Sequence, residues 1–192
     1  EDDKIVLEGE KVSFKGISKV LKNPAVWIIC LVSFCNHVFC LSIYYYIPYV
    51  TDILGAAVAF GAMMGVLRKF GSIGGNIVGG YLADKFGTGK LMLLAYIVML
   101  VGQISIFFVP VGAAGAIIVT VLFITILTFF HMNYAMAWTM MSEGAVPVEY
   151  CGTAAGLICT AGAIPETFIS IFAGSLIDNH PGITGYRYFF IF

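Results

Sequence analysis

GGYLADKFGTGK, residues 79–90, contains every acidic or basic residue found between positions 70 and 142, namely Asp84, Lys85 and Lys90. Glycines on both sides free the backbone for a tight turn, and the charges hold that turn in water. Beyond it on either side the chain is apolar over long distances. A polar turn between runs that cannot stay in water sets the class: an all-α membrane protein, because only helices or closed barrels satisfy their own backbone groups in lipid.

Composition supports the same class. Ala, Val, Ile, Leu, Met, Phe, Trp, Tyr and Cys make up 60% of the 192 residues and charged residues 11%, against roughly 45–50% and about 25% in a soluble chain. Ten of the twenty-one acidic and basic residues fall in the first 24 positions, so a polar leader, 1–24, precedes a transmembrane domain, 25–192. The leader is long, mixes both signs and has no small-residue cleavage site, which separates it from a secretory signal. Its lysines are offset by Glu1, Asp2, Asp3, Glu8 and Glu10, and the formal net charge is −1, so nucleic acid is not a partner.

A hydrocarbon core about 30 Å thick takes roughly 20 helical residues. By that ruler the spans lie near 25–49, 57–83, 91–109, 114–141 and 150–177, and an incomplete sixth runs over 186–192. Lys11, Lys15, Lys19 and Lys22 precede the first span, and Lys85 and Lys90 follow the second. The connections at 51–52, 110–113 and 178–185 carry no Lys or Arg. Residues 1–24 and the 79–90 turn are therefore expected in the cytoplasm, with the chain a multi-pass protein of the cell inner (plasma) membrane. The 142–149 connection, with Glu143 and Glu149 and no base, adds nothing to that count.

The turn resembles the G-x-L-A-D-R-x-G-R-R-K loop signature of major facilitator superfamily transporters, matching it at Gly80, Leu82, Ala83, Asp84, Lys85, Gly87 and Lys90. Thr88 and Gly89 stand where the signature has bases, as is common in its second-half copy. Residues 14–27 (FKGISKVLKNPAVW) are similar to the linker into the family's seventh helix, 147–156 (PVEYCGTAAG) to the start of the eleventh, and 173–178 (AGSLID) to its end. The fourth span lacks the Arg that marks an N-terminal half. The resemblance implies a C-terminal six-transmembrane-helix half bundle with its last helix truncated, closest to bacterial organic-anion and sugar-acid porters. It implies an N-terminal six-helix half as partner, a small-molecule solute between the halves, and no cofactor. Gly80, Asp84, Lys85, Gly87 and Lys90 would form the cytoplasmic gate, with the acid pairing with cations and capping a neighbouring helix.

Charge at the bilayer centre costs about 2.5–3.5 kcal/mol, so it should border water or a partner. Arg68 and Glu166 fall near the middle of the second and fifth spans, Glu166 directly after Pro165; His37 and His131 lie at similar depth. Helical spacing groups Ser33, His37, Cys40 and Tyr44, then Thr128, His131, Tyr134 and Trp138, then Gly65, Arg68, Ser72 and Asn76. Arg68, His131, Tyr44, His37, Asn76 and Trp138 are the candidate substrate ligands and Glu166 the candidate proton carrier. The plainer readings stay open: Arg68 and Glu166 as a mutual pair, the histidines as interhelical hydrogen bonds, Tyr44-Tyr45-Tyr46 as an interfacial belt, and Gly71, Gly74, Gly75, Gly79 and Gly80 as packing residues.

Other classes find little support. Gly71-Ser72-Ile73-Gly74 lacks the Gly-x-Ser-Gly order of an intramembrane protease, and no His pair at i, i+4 offers a zinc site, so neither an enzyme nor a metal is expected. No phosphate-binding Gly-x-x-x-x-Gly-Lys-Ser/Thr loop occurs. The five cysteines sit in or beside apolar spans as packing residues. A channel, or a six-helix unit that dimerises around its own pore, is the alternative to a secondary transporter.

Overall fold

Proline and asparagine set the first boundary. α1 (Phe14–Lys22) stops before Asn23, whose side chain accepts from the Ala25 N–H at 3.0 Å while Pro24 opens α2 (Pro24–Pro48). Proline at a first helical position loses no hydrogen bond, and the Asn oxygen satisfies one that would otherwise be orphaned. The computed structural model describes residues 14–143 and 146–191; the leader positions 1–13 lie outside the described residues.

α2 runs on into a π-helical turn, Tyr49–Ile53. Then follow α3 (Val58–Phe86), α4 (Thr88–Ser105), α5 (Ala113–Glu143), α6 (Cys151–Asn179) and α7 (Ile183–Ile191), with short 3-10 turns at Ile106–Phe108 and Val148–Tyr150. Every regular element among the described residues is helical. α7 begins three residues ahead of the expected Tyr186. Gly87 joins α3 to α4 at φ +86°, a left-handed conformation that side chains rarely adopt.

Four stretches, Pro24–Ile53, Thr88–Phe108, Ala113–Met141 and Cys151–Asn179, are long and apolar enough to cross a membrane. α3 has the length, at 29 residues, but Arg68, Lys69, Asn76 and its glycines dilute its apolar character. α4 turns Leu93, Leu94, Ile97, Leu100, Val101 and Ile104 outward, a helical stripe with no protein against it. Such a surface belongs in lipid, and the chain is a multi-pass membrane protein.

α2 and α5 pack together at the centre, with α3 and α4 against α5, α6 against α2, and α7 beside α6. Tyr46, Tyr49, Met99, Ile106, Phe123, Ile126 and Leu127 fill the middle. Lipid removes the hydrophobic drive between helices, so close packing of small residues must hold them. Gly71, Gly75 and Gly79, spaced i, i+4, i+8, form one row against α5. A Cβ there would lie 2.8 Å from Leu127 Cδ2, 2.7 Å from the Thr128 carbonyl oxygen and 2.8 Å from Met132 Cα. Gly74 and Gly80 have nothing within 4 Å of such an atom, so the row is three glycines rather than five.

Candidate functional site

The stripe of α2 that carries Ser33, His37, Cys40 and Tyr44 becomes the floor of the site. At one end the Arg68 guanidinium lies 4.0 Å from the centroid of the Tyr44 ring. That distance is a close cation–π contact, worth about 0.5–2 kcal/mol depending on how dry it is. Arg68 is half-buried on α3, and Glu166 is exposed on α6. The two make no ion pair, so a mutual salt bridge does not occupy Arg68 here. Both charges nevertheless reach Cys40, and those of Arg68 and Lys69 reach His131, which brings α2, α3, α5 and α6 into one electrostatic neighbourhood.

α5 supplies the aromatic side. The Phe130 ring lies 4.9 Å from His131 edge-on, and Tyr134 sits between His37 and Trp138, 6.4 Å from each. These are ordinary edge-to-face distances. His37 is oriented by its own helix: Nδ1 is 2.8 Å from the Ser33 carbonyl oxygen. A carbonyl only accepts, so Nδ1 donates, and in the neutral ring Nε2 is left as an acceptor. The ring and the Ser33 hydroxyl lie directly over Gly162 of α6, where a Cβ would be 2.6 Å from His37 Cε1 and 2.7 Å from Ser33 Oγ.

Between these helices is a cavity of about 70 Å³ lined by Ser33, Asn36, His37, Tyr134, Trp138 and Cys159, among others. Asn36 is 1% exposed and its Oδ1 has no hydrogen-bond partner. Asn133 on α5 is fully buried with neither amide atom partnered. Sequence reasoning passed over both because it followed stripes drawn through His37, His131 and Arg68, and neither amide was placed on one. The available signal was an amide inside an apolar span, three residues after Ser33 in the case of Asn36.

Sequence candidates thus divide. Arg68 meets Tyr44, and His37 meets Tyr134 and through it Trp138. Asn76 lies exposed on α3, roughly 12 Å along the helix from Arg68 at 1.5 Å per residue. At the far end of the bundle Asp84 and Lys90 are exposed, and Lys85 Nζ stands 5.5 Å from the Phe86 ring. The acid that reaches the start of α4 is Glu143: buried Thr88 donates its hydroxyl to Glu143 Oε1 at 2.7 Å. That contact joins positions 55 apart and has no local sequence signal.

α1 is tied to the same end of the bundle. Lys19 donates to the Tyr150 hydroxyl at 3.2 Å, and that bond holds its pKa above the ordinary lysine value. Val20 is buried beside Val26, Ile29, Val146 and Ala154, so α1 packs on the bundle. Among the described residues no three His, Cys, Asp or Glu side chains gather into a metal-holding group.

The profile of the Major Facilitator Superfamily matches residues 2–170. Inner membrane protein YihN of Escherichia coli (strain K12) is 25% identical over 191 residues, a stretch covering 91% of this chain and 42% of YihN. The chain therefore spans less than half the length of that relative. With a match over most of its own length, on an all-helical bundle with lipid-facing stripes, the chain belongs to the Major Facilitator Superfamily.

Proposed function

We propose that this chain is one wall of a secondary transporter that moves a small organic anion across the membrane by alternating access, coupled to protons. Arg68 carries the reading: a guanidinium on a membrane helix, laid on the Tyr44 ring, with no acid paired to it among the described residues. Such a charge costs about 2.5–3.5 kcal/mol near the bilayer centre, and an anion arriving from water offsets that cost. The planar fork suits a carboxylate or phosphate held through two parallel hydrogen bonds.

His131 and Tyr44 then supply further hydrogen bonds, with His37, Trp138 and Asn76 along the same passage. Glu166 binds the proton and exchanges it as solute comes and goes at Arg68. The opposing wall is an N-terminal six-helix half, and the solute sits between the two near the midplane. By the lysine count, residues 1–24 and the turn bearing Gly80, Asp84, Lys85, Gly87 and Lys90 lie on the cytoplasmic side and gate it. The membrane is the cell inner membrane, the one that gives the E. coli relative, inner membrane protein YihN, its name.

The complete protein in liposomes under a pH gradient tests this with radiolabelled carboxylates. Arg68→Ala abolishes uptake. Glu166→Gln retains solute exchange across the membrane but loses accumulation driven by the gradient. Normal proton-linked accumulation in either variant overturns the proposal.

A further inference from the structure

We infer that the cavity where α1 meets the bundle is a binding site for the headgroup of an anionic phospholipid, whose acyl chains lie along the outer face of α2. The cavity measures about 290 Å³. Lys19 and Asn23 line it from the α1–α2 junction, and Val146, Pro147 and Tyr150 from the turn ahead of α6.

The polar groups on its wall offer donors. Lys19 uses one of its three N–H bonds on the Tyr150 hydroxyl at 3.2 Å, which leaves two. That hydroxyl accepts the bond and keeps its own hydrogen to donate. Asn23 Oδ1 is engaged by the Ala25 N–H, and the Nδ2 group remains. Three such donors, one of them cationic, suit a phosphate, whose free oxygens only accept. The acid nearby is Glu149, exposed on the same turn; it makes no ion pair with Lys19 and acts on that charge more weakly than Tyr150 does.

Depth favours a lipid over a free anion. The stretch that opens at Pro24 is long and apolar enough to cross a membrane, so the cavity lies at the level of the headgroups. Asn23, Trp27 and Leu31 follow at i, i+4 and i+8, one row down the helix, and both Trp27 and Leu31 are exposed. Trp27 Nε1 donates to the Leu21 carbonyl at 2.7 Å, which fixes the indole between the charged junction and the apolar row. A headgroup held at Lys19 therefore lays its chains along Trp27 and Leu31. Basic pockets at the ends of membrane helices hold lipid headgroups in this way. Inorganic phosphate would satisfy the donors and leave the row bare.

The test places the complete protein in mixed vesicles of phosphatidylglycerol and phosphatidylcholine, with bromine on the chains of one lipid or the other to quench tryptophan fluorescence. The Trp27 signal is the part removed by Trp27→Phe in each background. At equal bromine content, brominated phosphatidylglycerol quenches that signal more, reporting about fivefold enrichment, the worth of one lysine at a lipid surface. Lys19→Gln removes the enrichment and Tyr150→Phe lowers it. Lys22→Gln, an equal loss of charge away from the cavity wall, leaves most of it. In vesicles of brominated phosphatidylcholine alone, equal quenching in every variant reports that α2 is in place. Equal quenching by both lipids in wild type, or equal losses for Lys19→Gln and Lys22→Gln, overturns the inference. Release of the lipid by millimolar inorganic phosphate also overturns it, because the site would then belong to a free anion.

Discussion

Two helices flank the central pair, and both approach it through glycine, but they meet different partners. On the α3 side, Gly71, Gly75 and Gly79 press against α5 at Leu127, the Thr128 carbonyl, the His131 Cβ and Met132. On the α6 side, Gly162 presses against the His37 ring and the Ser33 hydroxyl of α2. The first seam is closed on main chain; the second has a cavity and an unsatisfied amide beside it. In lipid, where apolar contact alone gives little, a bundle can afford the second kind of seam only where it has a use. The contrast separates a seam closed on main chain from a seam closed on polar side chains.

The same substitution at three glycines can break or sharpen that contrast, measured by thermal unfolding of the complete protein in detergent. Gly75→Ala has the largest effect. Its Cβ would lie 2.7 Å from a main-chain oxygen that cannot rotate away, so α3 and α5 must separate, at about 2–3 kcal/mol. A Gly75→Ala protein as stable as wild type would dissolve the idea of a rigid seam.

Gly162→Ala follows. It displaces a side chain that can swing aside, costing about 1 kcal/mol through the lost His37–Ser33 hydrogen bond. Because the displaced ring is one of the proposed solute ligands, uptake of the transported carboxylate into liposomes also falls. A loss of stability with unchanged uptake would make this seam purely structural.

Gly74→Ala is smallest and opposite in sign. Nothing lies within 4 Å of the added carbon, and alanine favours helix by up to about 1 kcal/mol, so stability stays level or rises slightly. Destabilisation in the complete protein would reveal another helix packed on that face.

How much of this was legible follows from which physical signal each feature leaves. Arg68, deep in an apolar span, stands out at once, and the seven-residue spacing of His37 and Tyr44 puts both on one stripe. Tyr44 could equally have been a belt residue until the guanidinium was seen on its ring. Asn76 was singled out because it shares a stripe with Arg68, while Asn36 and Asn133 stand on none of the stripes drawn; what marks them is the missing partner, which exists only in three dimensions. The glycines of α3 read alike in sequence, and only the α5 backbone divides Gly75 from Gly74. Thr88 looked like a gap in a basic loop, and the carboxylate it binds arrives from the end of another helix.

Two tyrosines bear on how such a bundle can move. Tyr96 of α4 donates to the Val32 carbonyl of α2 at 2.9 Å, and Tyr46 of α2 donates to Gln103 of α4 at 2.9 Å. These bolts run in opposite senses at two depths, and sliding one helix along the other would shear both, at roughly 1–3 kcal/mol for each buried group stranded. The lipid-facing α4 and the central α2 are therefore tied to travel as a single lever. Any rocking of α2 swings the outer surface of α4 and the side chains of His37 and Tyr44 through the same arc.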